Sequence, residues 1–305
     1  MILCVGELLV DMISTNYAET FDEVTDFKRI PGGSPANLCM NMARLGVPAN
    51  LAAGVGNDGM GQYLIDYVAS TGVNTRLIEK RNVPTTMILV TRSQAVSNFE
   101  AYRFADCEIL PNQLIDRILE PNIIFHTTCF ALSKDPAQTN IMEAARRATS
   151  MGATLSIDVN YAQKIWPDQV QAQQLIATYL KRGGLVKVSE VDWERLYNVP
   201  LTDANVAADF FLKLGATEVC VTLGGKGCMV ADKNNRHFLP ARPIDVKDTT
   251  GAGDAFWSGY LTAWLDSKTL LQKALAGRRM AELKLAHFGP LLGKVDKNII
   301  YEDFL

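Results

Sequence analysis

The chain has 305 residues, 48% of them hydrophobic and 21% charged, with a formal charge of −3. This balance lacks the basic footprint on which nucleic-acid binding rests, so no nucleic-acid partner is expected. No apolar run approaches the roughly 18 residues of a membrane span, and the opening MILCVGELLV has neither the basic start nor the cleavage site of a secretory signal. A cytoplasmic protein with no membrane partner is the expectation. Its six cysteines, Cys4, Cys39, Cys107, Cys129, Cys220 and Cys228, lack zinc or redox spacing and read as small core residues of a reducing compartment.

In chain order, short runs rich in Val, Ile and Leu occupy Ile2–Val10, Asn50–Val55, Asn122–Thr127, Thr154–Val159, Gly184–Val188 and Glu218–Leu223. Most are continuous rather than alternating, as strands covered on both faces are. Segments with helical spacing lie between them, at Pro136–Ser150, Gln169–Lys181 and Asp203–Leu214. The alternation predicts a doubly wound α/β fold with a mainly parallel central sheet flanked by helices. Two stretches, at about 12–31 and 84–104, carry β-formers without a helical period. They predict lid strands inserted into a single domain spanning 1–305, forming a small sheet over the carboxyl edge of the main one. The edges of such strands suit a homodimer through the lid.

From Ile30 to Gly46 the sequence IPGGSPANLCMNMARLG signals a helix, with Ser34 as N-cap, Pro35 as first helical residue and Gly46 as the stop. Asn37 and Asn41 share one face, and Leu38, Met42 and Leu45 form the apolar stripe. An asparagine near a helix start, behind Gly32 and Gly33, can hydrogen-bond sugar hydroxyls. The plainer alternative leaves the asparagines in water and the glycines as a turn. Gly54 to Gly59 then reads GVGNDG, a G-x-G-x-x-G fingerprint with Glu79 about twenty residues on. A nicotinamide-dependent oxidoreductase is therefore a rival reading, although Asn57-Asp58 has ordinary turn chemistry.

Lys187 to Asp192, KVSEVD, follows an apolar strand and puts Glu190 and Asp192 where a helix dipole favours them. Val221 to Gly227, VTLGGKG, runs from a strand into a glycine turn without Walker-loop spacing. Asp248 to Phe256, DTTGAGDAF, opens a helix on which Phe256, Tyr260 and Trp264 share one face. Gly251 and Gly253 let the backbone approach a ligand, and the free N–H groups at that helix start favour a phosphate. Asp254 stands beside the anion site. Phosphoryl transfer asks for such parts: donors for the phosphate charge, a metal, and a carboxylate to take the acceptor's proton. The dipole stabilises ionised Asp254 and so weakens it as a base, which late proton transfer tolerates. A tight turn and helix cap is the plain alternative. His126 and His237 are isolated and read as structural.

DTTGAGDAF resembles the C-terminal signature of ribokinase-like (PfkB-type) carbohydrate kinases. Gly32-Gly33, Asn37 and Arg44-Leu45-Gly46 are similar to their N-terminal signature, and Gly54–Gly59 also has a counterpart among them. The resemblance implies an ATP-dependent sugar kinase using Mg2+, with an anion hole at Gly251, Ala252 and Gly253 and Asp254 as catalytic base. It implies sugar contacts from Gly6, Asp11, Gly32, Gly33 and Asn37. Tyr102-Arg103 is similar to a sugar-facing segment of fructokinases and 2-keto-3-deoxygluconate kinases. Nucleotide contacts are implied for Lys187, Ser189, Thr222, Gly224, Gly225, Gly227, Thr249, Gly251, Gly253 and, near the adenine, Gly289. Glu190 and Asp192 are implied as indirect magnesium contacts, although Ser189 and Asp192 depart from the Asn and Glu of the family's K-x-N-x-x-E segment. Activation by a monovalent cation is left open.

Asp158-Val159-Asn160-Tyr161, with Trp166, resembles the D-P-N segment of the same kinases, but Ala162 stands where an arginine is usual. Loss of that guanidinium weakens the case for an acidic substrate, with Arg103 and Lys164 left to compensate. Fructose or a similar neutral ketohexose, phosphorylated on a primary hydroxyl, is the first expectation. A 2-keto-3-deoxygluconate, ribose, nucleoside or phosphosugar acceptor and a non-catalytic sugar-binding protein are the alternatives.

Overall fold

The computed structural model describes residues 1–92 and 98–304; residues 93–97, within the second expected lid stretch, lie outside the described residues. The first apolar run is two strands rather than the one expected, β1 (Ile2–Val5) and β2 (Leu9–Tyr17), which belong to different sheets. The chain turns at Gly6, where a Cβ would stand 2.6 Å from the Pro35 ring. After β3 (Phe27–Gly32) comes α1 (Ser34–Arg44), whose N-cap is Gly33 at φ 104° rather than the expected Ser34. A Cβ at Gly33 would strike the Glu7 carbonyl oxygen, so the tight entry to α1 leaves the Ser34 hydroxyl for another partner.

The chain continues through β4 (Ala49–Gly56), α2 (Gly59–Ser70), β5 (Asn74–Arg81), β6 (Met87–Arg92), β7 (Phe99–Tyr102) and β8 (Ile124–Thr128). Next come α3 (Ala137–Ser150), β9 (Thr154–Asp158), α4 (Gln169–Leu180), β10 (Leu185–Ser189), α5 (Glu190–Tyr197) and α6 (Ala204–Leu214). Then follow β11 (Glu218–Thr222), β12 (Gly227–Asp232), β13 (Arg236–Pro240), α7 (Ala252–Leu265) and α8 (Leu270–Leu285). Among the described residues the strands form a nine-stranded sheet, β13-β12-β11-β10-β9-β8-β1-β4-β5, and a four-stranded one, β3-β2-β6-β7. From β5 to β11 all neighbours are parallel, and β12 is antiparallel to both β11 and β13.

Alternation along β1 shows why both faces are apolar. Leu3 and Val5 pack with Ile141, Ile176 and Phe211 of α3, α4 and α6, whereas Ile2 and Cys4 pack with Leu38, Leu64 and Trp257 of α1, α2 and α7. Helices thus cover both sides, the doubly wound arrangement that the continuous runs predict. All six cysteines are buried free thiols. No described helix is long and apolar enough to cross a membrane.

In the small sheet β2 pairs antiparallel with β3 and parallel with β6, and β7 closes it antiparallel to β6. Lys164 ties it to the body, its ammonium 3.0 Å from each of Asn98 Oδ1, the Phe99 carbonyl and Glu100 Oε1.

Candidate active site

Strand order reverses between β1 and β8, because the chain builds outward through β4 and β5 and then returns to lay β8 to β11 on the other side. The carboxyl ends of strands at such a point are where open α/β sheets take ligands. Glu7 lies there, 1% exposed. Its Oε1 accepts from the Ser34 N–H at 3.1 Å and its Oε2 from Thr128 Oγ1 at 2.9 Å. Burial pushes its carboxyl up to about 8. Glu7 therefore joins β1, β8 and the start of α1 beneath the site.

Asp254 sits in the first turn of α7, after Gly251 in left-handed backbone at φ 74°. Ser34 Oγ donates to its Oδ1 at 2.6 Å and Asn37 Nδ2 to its Oδ2 at 2.9 Å. Burial raises its pKa despite these two bonds and the charges of Lys187 and Lys284. Asp11, on β2, is likewise pushed up to about 7 by burial and by Asp254. A Cβ on Gly32 would fall on the Asp11 carboxylate, so this glycine makes the room in which the acid stands.

The first helical N–H groups of α7 point away from the helix with no intrahelical acceptor. Ala252 N–H closes a turn on the Thr249 carbonyl at 3.2 Å, and Gly251 and Gly253 face the cleft. A Cβ on Gly253 would stand 3.2 Å from Lys187 Nζ. That ammonium is buried and bonded to both oxygens of Asp158, at 2.9 and 2.7 Å. Burial alone would lower its pKa, but the Asp158, Asp192 and Asp254 charges hold it high, so it stays charged beneath the glycines.

These groups line one cleft of about 950 Å³. Its lining includes Glu7, Asp11, Gly33, Asn37, Asp158 and Asn160, which lie on or beside β1, β2, α1 and β9. It also includes Ser189, Glu190, Asp192, Thr222, Gly224, Gly225 and Gly227, on or following β10 and β11, with Thr249 and apolar Ile244, Val246 and Leu285. Asp254 and Gly251–Gly253, at the start of α7, line the same cleft. The glycine turn at Gly224–Lys226 is both the β11–β12 hairpin and a wall of the cleft.

Other residues singled out in the sequence lie elsewhere. Gly6 and Gly32 shape the backbone behind the cleft without lining it, and Gly289 lines a smaller adjoining hollow. Tyr102 is exposed on β7. Arg103 is held by Asp106 Oδ2 (3.0 and 2.6 Å), the Ser133 hydroxyl and the Phe130 carbonyl, and stacks on Phe130. With Lys164 engaged by Glu100, neither cation lines the cleft to replace the arginine missing at Ala162. Asp192 forms a capping box with Ser189 and accepts from Tyr161 N–H at 3.0 Å, and Glu190 pairs with Lys226 at 3.0 Å.

The glycine fingerprint has a structural use. A Cβ at Gly54 would collide with the Ala105 carbonyl. Asp58 caps α2 at Gly61 N–H (2.8 Å) and binds Thr85 N–H (2.8 Å) and Oγ1 (2.6 Å). This stretch seats both the entry to the small sheet at Thr85 and the return from it at Ala105, and lines no part of the cleft.

The model of the pfkB family carbohydrate kinases matches residues 1–296. An ATP-dependent 6-phosphofructokinase of Thermoanaerobacterium thermosaccharolyticum is 30% identical over 299 residues, 98% of this chain and 92% of that protein. A probable fructokinase-3 of Arabidopsis thaliana is 30% identical over 279 residues, 89% of this chain and 80% of that one. An uncharacterized sugar kinase of Pyrococcus horikoshii, crystallised in complex with ATP, superposes with a TM-score of 0.85 at 27% identity, covering 98% of this chain and 96% of that chain.

Proposed function

The chain belongs to the pfkB family of carbohydrate kinases, and from that membership we propose that it transfers the γ-phosphoryl group of ATP to a primary hydroxyl of a free neutral ketohexose such as fructose. The observation that carries the reading is that Asp254 shares one cleft with the carboxylates and amides of Asp11, Asn37, Asp158 and Asn160 and with the glycines and apolar side chains of Gly224, Gly225, Ile244 and Val246.

Asp11, Asn37, Asp158 and Asn160 offer acceptors and donors suited to sugar hydroxyls. Lys187, beneath the glycines, is already paired with Asp158, which supports a neutral acceptor. With a hydroxyl against Asp254, its proton passes to the carboxylate as its oxygen bonds to the γ-phosphorus. The bond from that phosphorus to the bridging oxygen breaks, and ADP leaves with the electron pair. Gly251, Gly253 and the α7 dipole, with Lys187 behind them, stabilise the charge on the transferring group. The small sheet above excludes water and so limits hydrolysis of ATP.

Magnesium keeps most of its waters and takes few protein ligands beside nucleotide phosphates. The donor set fits that mode: among the described residues no group of three acidic, histidine or cysteine side chains could hold an ion directly. Glu190 and Asp192 are engaged by Lys226 and by Ser189 and Tyr161, so they would hold the ion through its waters. When bound, magnesium neutralises the phosphate charge. The outer strands of the small sheet, β3 and β7, offer edges for a second copy, a part of the reading that solution mass tests.

One observation favours a second acceptor, a phosphorylated ketohexose. Lys28 and Arg92 converge on the Phe288 ring, 4.7 and 5.4 Å from its centroid, and buried Arg44 lines the hollow beside Asp11. ADP release with MgATP and either fructose or fructose 6-phosphate separates the two. Higher kcat/KM on fructose supports the first reading, higher kcat/KM on the phosphate replaces it with the second, and release with neither acceptor nor related sugars overturns both.

A further inference from the structure

Lys284, near the end of α8, plays no part in the scheme above, and its side chain is only 6% exposed. Its ammonium lies 3.0 Å from Asp248 Oδ2, 3.4 Å from the Asp248 carbonyl and 3.4 Å from the His287 carbonyl. Its Cε is 4.0 Å from where a Cβ of Gly251 would stand. Asp248 in turn accepts from the Thr250 and Gly289 N–H groups, both at 2.9 Å. A single positive charge therefore sits where one carboxylate and two backbone carbonyls converge, directly behind the anion-hole loop. Through Asp248 it pins that loop to the segment following α8.

An ordinary Lys–Asp pair needs the carboxylate alone. Carbonyls converging with a carboxylate make the all-oxygen donor set in which proteins hold free hard cations. Here the chain fills that set itself. We infer that Lys284 is a tethered monovalent cation: it is the positioning residue of the Asp248–Gly253 loop, supplies fixed positive charge behind the anion hole, and leaves the kinase with no need of free potassium or sodium.

The catalytic half of this inference rests on the kinase reading, whereas occupancy of the oxygen cage does not. The test compares wild type with Lys284→Ala and Lys284→Arg in choline, potassium and ammonium chloride at equal ionic strength, reading kcat and Tm. Wild type gives the same kcat and Tm in all three salts. Lys284→Ala loses about thirtyfold in kcat in choline, the order that one fixed charge near a partly buried phosphoryl site contributes. Potassium or ammonium restores about tenfold and raises Tm in this variant alone, because the ion now binds the folded state. Lys284→Arg, which keeps the charge, falls less and gains nothing from potassium.

Wild type that gains kcat or Tm from potassium overturns the inference, as does a folded Lys284→Ala that keeps full kcat in choline or whose loss and Tm neither ion improves. If Lys284→Ala does not fold, the wild-type salt comparison decides alone. Failure of the kinase reading shows separately, as no turnover by wild type in any salt, and the Tm response still judges the cage.

Discussion

The Ser34 hydroxyl donates to Asp254 Oδ1 at 2.6 Å, joining residues 220 positions apart. Its main-chain N–H donates at the same time to Glu7 Oε1. One serine at the start of α1 thus connects the buried acid under the sheet's switch point to the carboxylate proposed as the base.

Removing that hydroxyl has a definite sign. A hydrogen bond to the charged form lowers a carboxyl pKa, and Ser34 lowers that of Asp254. In Ser34→Ala the acidic limb of the kcat/KM pH profile moves to higher pH, and kcat falls about tenfold as the carboxylate loses its orientation. An unmoved limb separates Ser34 from the base.

Gly32 tests the acid on β2. A methyl there falls on the Asp11 carboxylate and turns the side chain aside. In Gly32→Ala the KM for sugar rises about tenfold, the mark of lost ground-state binding, while the KM for ATP and Tm change little. An unchanged sugar KM removes Asp11 from the binding site.

The Lys187–Asp158 pair is buried on both sides, at 5% and 2% exposure. Breaking one partner of such a pair costs about 3–5 kcal/mol, because the other charge is left uncompensated. Lys187→Met therefore unfolds at markedly lower urea than wild type, and adding Asp158→Asn recovers much of the loss. Additive losses would show that the two charges do not support one another.

Glu7 makes stability depend on pH. Its carboxyl is at about 8 in the fold against 4.5 when free, so between those values the folded chain holds the extra proton. Stability then falls as pH rises through this window and is level on either side. Asp11, at about 7, adds a fall of the same sign. The drop in Tm between about pH 5 and pH 8 is smaller in Glu7→Gln than in wild type; equal drops contradict the burial of an ionisable acid there.

Some of this was legible in the sequence and some was not. DTTGAGDAF is contiguous, so the helix start, the glycines and Asp254 could be placed without a fold. The covered strands were visible as continuous apolar runs, but Ile2–Val10 hid a division between two sheets because both halves are apolar. Ser34 carried the local signal of an N-cap, and only the packing of Gly33 against Glu7 turned its hydroxyl toward Asp254. Glu7 and Lys284 carried no signal, since each acts through partners distant in the chain or in another element. The antiparallel strands β12 and β13 were missed because neither is a continuous apolar run: β12 starts in the glycine turn and is only partly buried, and β13 is mostly exposed.

The central claim is that Asp254 takes the proton of the sugar hydroxyl during transfer from ATP. Its most direct measurement is steady-state ADP release by wild type and Asp254→Asn, side by side, with MgATP and the best acceptor. The account predicts a fall in kcat on the order of a hundredfold or more, with both KM values and Tm close to wild type. An Asp254→Asn variant that turns over at nearly the wild-type rate would contradict it.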